Sequence, residues 1–173
     1  MSYSKQREQA TQAAQRLLAQ AGVREAPVPV EAIARNAGVT VQFIPMDDEM
    51  SGMAFIKGAA RVAVVNAVHH PNRQRFTLAH ELAHHVLHQA YLTEKVHVDT
   101  AVLRRNQRSS LGADVKEVQA NAFAAELLMP RSLLRKYGRI DINDEIAVQT
   151  VANQFKVSVT AMAIRLESLQ TVA

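Results

Sequence analysis

The sequence predicts an α+β fold, mostly helical, with a small three-stranded sheet and a helix-turn-helix-like pair of helices at its C-terminal end. Three observations predict it. Ala-, Gln- and Leu-rich stretches of helical composition lie near both ends, at residues 5–21, 115–129 and 144–170. Between the first two stand three short β-branched or apolar runs, "VTVQFI" (39–44), "GMAFI" (52–56) and "RVAVVN" (61–66), separated by Asp, Gly and Lys. After them Phe76 to Ala90 runs without Gly or Pro, as a helix interior requires.

Taken in order, the first helix (5–21) is ended by Gly22, and a short second one is entered at Pro29 and stopped by Gly38. The three strands are expected to pair as an antiparallel sheet. "HHPNRQR" leads into a helix at about 72–89 with Asn72 as its N-cap. Residues 91–114 are polar and fit no period. The helix at 115–129 stops at Pro130, and Ser158 caps the last helix. The 173 residues suffice for one domain with a real core and are short for two. With no repeat or Gly/Ser/Pro-rich linker, residues 1–173 are expected to form a single domain with its core at about 28–169.

Composition narrows the function classes. The absence of cysteine excludes disulfides, thiolate metal sites and a cysteine nucleophile, and fits a reducing cytoplasm. The polar N-terminus "MSYSKQREQATQ" has no apolar signal region, and no apolar run is long enough to span a bilayer. Net charge is +4 and the isoelectric point about 9.7, but the basic residues are scattered. The one local cluster, "RRNQRSS" from Arg104, has the composition of a solvated loop.

Four of the seven histidines fall in "FTLAHELAHHVLH", Phe76 to His88. His80 and His84 are one helical turn apart, about 40° in rotation and about 6 Å in rise, so both imidazoles can reach one ion. Glu81 stands about 100° round the helix, beside the ion, where it can serve a water. His88 continues the same face but lies about 12 Å from His80, too far for one tetrahedral zinc with bonds of about 2.0–2.1 Å. A His84/His88 register is sterically possible but lacks a carboxylate next to His84. His85 is expected at the surface or core edge, and His69, His70 and His97 in loops. The longer motif with a third histidine fails, because Leu87 takes its Gly slot and Ala90 its final His slot. A third ligand must come from elsewhere: Glu94, Asp99, Asp114, Glu117 or Glu126. Glu117 is favoured because Asn121, one turn on, could orient a ligand from the same face.

Three segments, "RVAVVN…RQRFTLAHELAHHVLH", "EVQANAFAAELLMP" and "VANQFKVSVTAMAIRLESL", together resemble the ImmA/IrrE family of metallopeptidases. The resemblance runs from about residue 28 to 169. It implies a minimal zincin-like domain, a gluzincin-like ligand set in which Glu117 joins His80 and His84, and a cytoplasmic endopeptidase that cuts helix-turn-helix repressors or antitoxins. Gln119 stands where the family often has a second acidic residue, which leaves Glu117 without that competitor.

The expected chemistry is amide hydrolysis with Zn2+ as cofactor and Glu81 as general base. Tyr91, Tyr137 and His88 are the possible oxyanion donors. The substrate is expected to lie extended along an edge strand. The rival reading is a DNA-binding regulator, or a toxin or partner-binding module, with a structural zinc. Against DNA binding, the last helix spends Val159, Met162, Ile164, Leu166 and Leu169 on apolar faces and keeps one basic residue, Arg165. Against structural zinc, the motif offers no obvious fourth ligand. The segment 104–112 is expected to be a mobile lid or substrate-contact loop.

Overall fold

The computed structural model describes residues 3–100 and 115–170. The segment 104–112 and Asp114 lie outside the described residues.

Helix α1 (Tyr3–Gln20) buries Ala10, Ala13, Ala14 and Leu18, and the alanines let it lie close along a later helix, α5 (Val115–Leu128). Its end is set by Gly22 at φ +63°, with the Val23 amide donating back to Leu18 O and the Gly22 amide to Ala19 O. Only a residue without a Cβ adopts that left-handed turn at little cost. The short α2 (Val30–Asn36) follows, burying Val30, Ile33 and Ala34.

The sheet has four strands: β1 (Val39–Ile44), β2 (Met50–Lys57), β3 (Ala60–Asn66) and β4 (His97–Thr100), in the spatial order β1-β3-β2-β4. This corrects the expected three antiparallel strands twice. The β2–β3 pair is an antiparallel hairpin closed by Gly58 and Ala59, but β1 runs parallel to β3. The fourth strand, four residues long, pairs antiparallel with β2 from within the segment that fits no period. Its sequence, "HVDT", is only four residues long and carries an Asp, too short and polar a run to announce a strand. Pairing with Met53 and Ala54 makes it one.

Helix α3 (Pro71–Leu87) starts with Pro at its first position, and its cap is His70, whose Nδ1 accepts from the Asn72 amide at 3.2 Å. Asn72, expected as the cap, instead donates its side-chain amide to Val157 O at 3.1 Å and ties the helix start to the C-terminal pair. Nine consecutive residues of α3, Thr77 to His85, are buried. The helix passes between the sheet and α5, which explains why "TLAHELAHH" has no solvent-facing side.

The short α4 (Gln89–Glu94) leads to β4. Beyond the undescribed segment come α5 (Val115–Leu128), α6 (Arg131–Leu134) running into a 3-10 turn (Arg135–Tyr137), α7 (Glu145–Phe155) and α8 (Val159–Gln170). Asp144 caps α7 by accepting from the Ala147 amide, and Ser158 caps α8 by accepting from Ala161. Leu78, Leu82, Phe123, Leu127, Leu128, Phe155 and Met162 fill the core among these helices. Arg165 turns inward from α8, pairing with Glu126 and donating to Met129 O. Among the described residues, no helix is long and apolar enough to cross a membrane.

Candidate metal centre

His80, Glu81 and His84 are carried by the buried middle of α3, and Glu117 and Asn121 by the first two turns of α5, which packs on α3. His80 Nε2 and His84 Nε2 are 3.3 Å apart. Glu117 meets both, with Oε2 3.2 Å from His80 Nε2 and Oε1 3.4 Å from His84 Nε2. Ligands bonded to a tetrahedral zinc at 2.0–2.1 Å stand about 3.3 Å from one another. The three groups therefore already have the spacing that one such ion demands. The imidazole centroids agree: those of His80 and His84 are 5.0 Å apart, against about 5 Å for two rings sharing a tetrahedral zinc.

The protonation states suit a cation. Burial pushes His84 down to about 3, so it is neutral near pH 7 and keeps a lone pair. Burial works against ionising Glu117, but the closeness of His80 and His84 outweighs this and holds its carboxyl well below the usual range. His80 Nδ1 faces Asn121 Oδ1 at 3.1 Å, so it donates its proton there and Nε2 is left to face Glu117.

Glu81 is fully buried and lies against the inner face of β2, under Gly52. Its carboxylate, that of Asp99 and a His80 nitrogen fall within 4.8 Å of one another. Asp99 is thus a buried neighbour of Glu81, while Glu94 is exposed and Glu126 is engaged by Arg165 and by Gln15 Nε2 at 3.1 Å.

His97 is the residue that sequence reasoning missed. It lies buried in β4, a strand rather than the expected loop, and joins His80, His84 and Glu117 in a group whose donor atoms all fall within 4.8 Å. Its Nε2 is 3.6 Å from Glu117 Oε1. Its ring, however, lies flat on His84, with centroids 3.8 Å apart and planes at 25°. That is closer than two rings bound to one tetrahedral ion can stand, so as placed it borders the site without completing a closed cage.

Of the other histidines, His85 differs from expectation. His85 is buried and donates from Nε2 to Val62 O at 2.8 Å, which anchors α3 to β3. His69 is buried, with Nε2 3.1 Å from Asp48 O. His88 Nδ1 is 3.1 Å from His84 Nδ1, and its Nε2 is 3.0 Å from Gln119 Oε1. Tyr91 stands edge-on to His97 at 6.4 Å, with the Lys116 ammonium over its ring. Tyr137 packs on Phe155.

A helix-borne histidine pair and a carboxylate from a second helix, with a buried glutamate beside them, form a group that could hold a metal ion. The chain belongs to the Peptidase_M78 family, whose IrrE N-terminal-like domain model matches residues 34–167. No curated protein matches it. In fold it is similar to a Mycobacterium tuberculosis transcriptional regulator, with a TM-score of 0.57 and 17% identity over 94% of this chain and 51% of that one. The chain thus spans about half the length of that protein.

Proposed function

We propose that the chain is a zinc-dependent endopeptidase that cuts a helix-turn-helix repressor or antitoxin in the cytoplasm. The observation that carries this reading is the triad His80, His84 and Glu117 at mutual distances of 3.2–3.4 Å, with Glu81 buried alongside. Family membership supports the peptidase class.

His80 Nε2, His84 Nε2 and a Glu117 oxygen would hold the ion. Bound there, zinc supplies Lewis acidity, which activates water near neutral pH and polarises a carbonyl. Glu81 takes the proton released as water adds to the scissile carbonyl carbon, then gives it to the amine nitrogen as the C–N bond breaks. Burial of Glu81 keeps bulk water from competing for that proton. Asn121 fixes the His80 ring. The substrate lies extended on β4, an edge strand that carries His97 to the rim of the site. Of the three donors expected for the oxyanion, both ring nitrogens of His88 are taken up by His84 and Gln119, and Tyr137 packs on Phe155 of α7, a helix that carries none of the metal-centre residues. Tyr91, against His97, is the one we assign.

The regulator reading has one support, the name of the structural neighbour. It is opposed by α8, whose single basic residue is tied to Glu126 and whose exposed positions (Val159, Thr160, Ile164, Glu167 and Gln170) carry no cation.

The test is incubation of zinc-loaded protein with helix-turn-helix repressors, in parallel with Glu81→Gln. A discrete cut in a linker of one repressor, lost in Glu81→Gln, is the expected result. Equal cleavage by both proteins, or efficient digestion of unrelated unfolded proteins with the repressors left intact, would overturn it.

A further inference from the structure

Resting on the metal-site reading above, we infer that His88 and Gln119 are positioning residues that fix which nitrogen of His84 faces the ion, through a hydrogen-bond relay that begins at the backbone of α1. The relay is read from its outer end. Gln119 Nε2 donates to the Gln6 carbonyl oxygen at 3.4 Å, which turns the amide so that Oε1 points the other way. That oxygen is 3.0 Å from His88 Nε2. An amide oxygen only accepts, so the one proton of a neutral His88 sits on Nε2 and leaves Nδ1 as an acceptor. His88 Nδ1 is 3.1 Å from His84 Nδ1, so the proton between them belongs to His84 Nδ1. A neutral imidazole has one N–H, and His84 Nε2 is therefore left with its lone pair, aimed at the triad.

His80 reaches the same end by a shorter route, through Asn121. For His84 the acceptor is a second imidazole, which can offer either nitrogen unless something sets it. Gln119 does that. The side chain that occupies the position of a possible rival ligand thus has its own task, and α1 takes part in the metal site although it lies outside the matched residues 34–167.

The experiment compares zinc affinity, by competition with a chromophoric chelator, in the wild type, Gln119→Met and Gln119→Glu. Nitrogen-15 spectra of the histidine rings in zinc-loaded protein serve as a second readout. Gln119→Met keeps the volume and removes the acceptor, and should weaken zinc binding by about 10–100-fold, the usual effect of losing a partner behind a ligating histidine. Gln119→Glu still accepts from His88 and should restore most of the affinity. In the wild-type spectra His88 should be protonated on Nε2, with a scalar coupling across the His84 Nδ1–H···Nδ1 bond to His88. A His88 proton on Nδ1, or wild-type affinity in Gln119→Met, overturns the relay. Wild-type affinity in His84→Ala instead overturns the metal site itself, so the two failures are told apart.

Discussion

Gly52 of β2 lies directly beneath Glu81 of α3: a Cβ built on it would stand 3.2 Å from Glu81 Oε1, 2.7 Å from Val64 O and 2.5 Å from Thr77 Cγ2. The helix that carries Glu81 can approach the sheet this closely only because β2 has no side chain there. Val64 O is backbone and cannot yield. Gly52→Ala should destabilise the fold by about 1–3 kcal/mol, the cost of overpacking, and displace Glu81. Chemical denaturation together with cleavage rate checks both. Unchanged stability and rate would show that helix and sheet have slack.

Ligation and proximity separate by mutation. His80→Ala, His84→Ala and Glu117→Ala should each weaken zinc binding by more than about 100-fold, beyond the effect of losing an outer partner. His97→Ala should cost less than about 10-fold, because its ring stacks on His84 at 3.8 Å and does not converge on the ion. A His97→Ala loss as large as that of His84→Ala would make the site a closed, four-ligand one.

Glu81→Gln isolates the base. The variant should retain one zinc and its fold, while the cleavage rate falls by about 10²–10⁴. Loss of zinc in this variant would make Glu81 a ligand and remove the proposed mechanism.

Helical periodicity aligns His80 with His84 on one helix and Glu117 with Asn121 on another, and the family resemblance, not periodicity, joins Glu117 to the histidines. What lay beyond reach depended on partners from distant segments. His97 comes to the site only through the pairing of Ala54 with it across β2 and β4. His85, expected at the edge, is drawn inside by the Val62 carbonyl. The parallel β1–β3 pair also escaped, since short strand runs separated by turns specify hairpins more readily than skipped neighbours.

Acid should destabilise the metal-free protein. Burial lowers His84 to about 3 from 6.5, and lowers His85 and His97 as well. Their unfolded forms bind protons first, so stability is complete above about 6.5 and falls as pH drops toward 3. Glu117, lowered in the fold, adds loss in the same direction below its unfolded value of 4.5. Urea midpoints in chelator should therefore be lower at pH 5.5 than at pH 7.5. A midpoint that holds or rises on acidification contradicts the buried, neutral state of these rings.

The packing of α1 on α5 joins segments 111 residues apart, as the Gln15–Glu126 hydrogen bond shows. Such a contact closes a loop of most of the chain, and its entropic cost is met only when both ends are present. During synthesis the histidines of α3 leave the ribosome before Glu117, and α1 lacks its main packing partner until α5 follows. The nascent chain therefore carries an incomplete donor set for much of its emergence, and the His80–His84–Glu117 group is completed late, together with the closure of the fold.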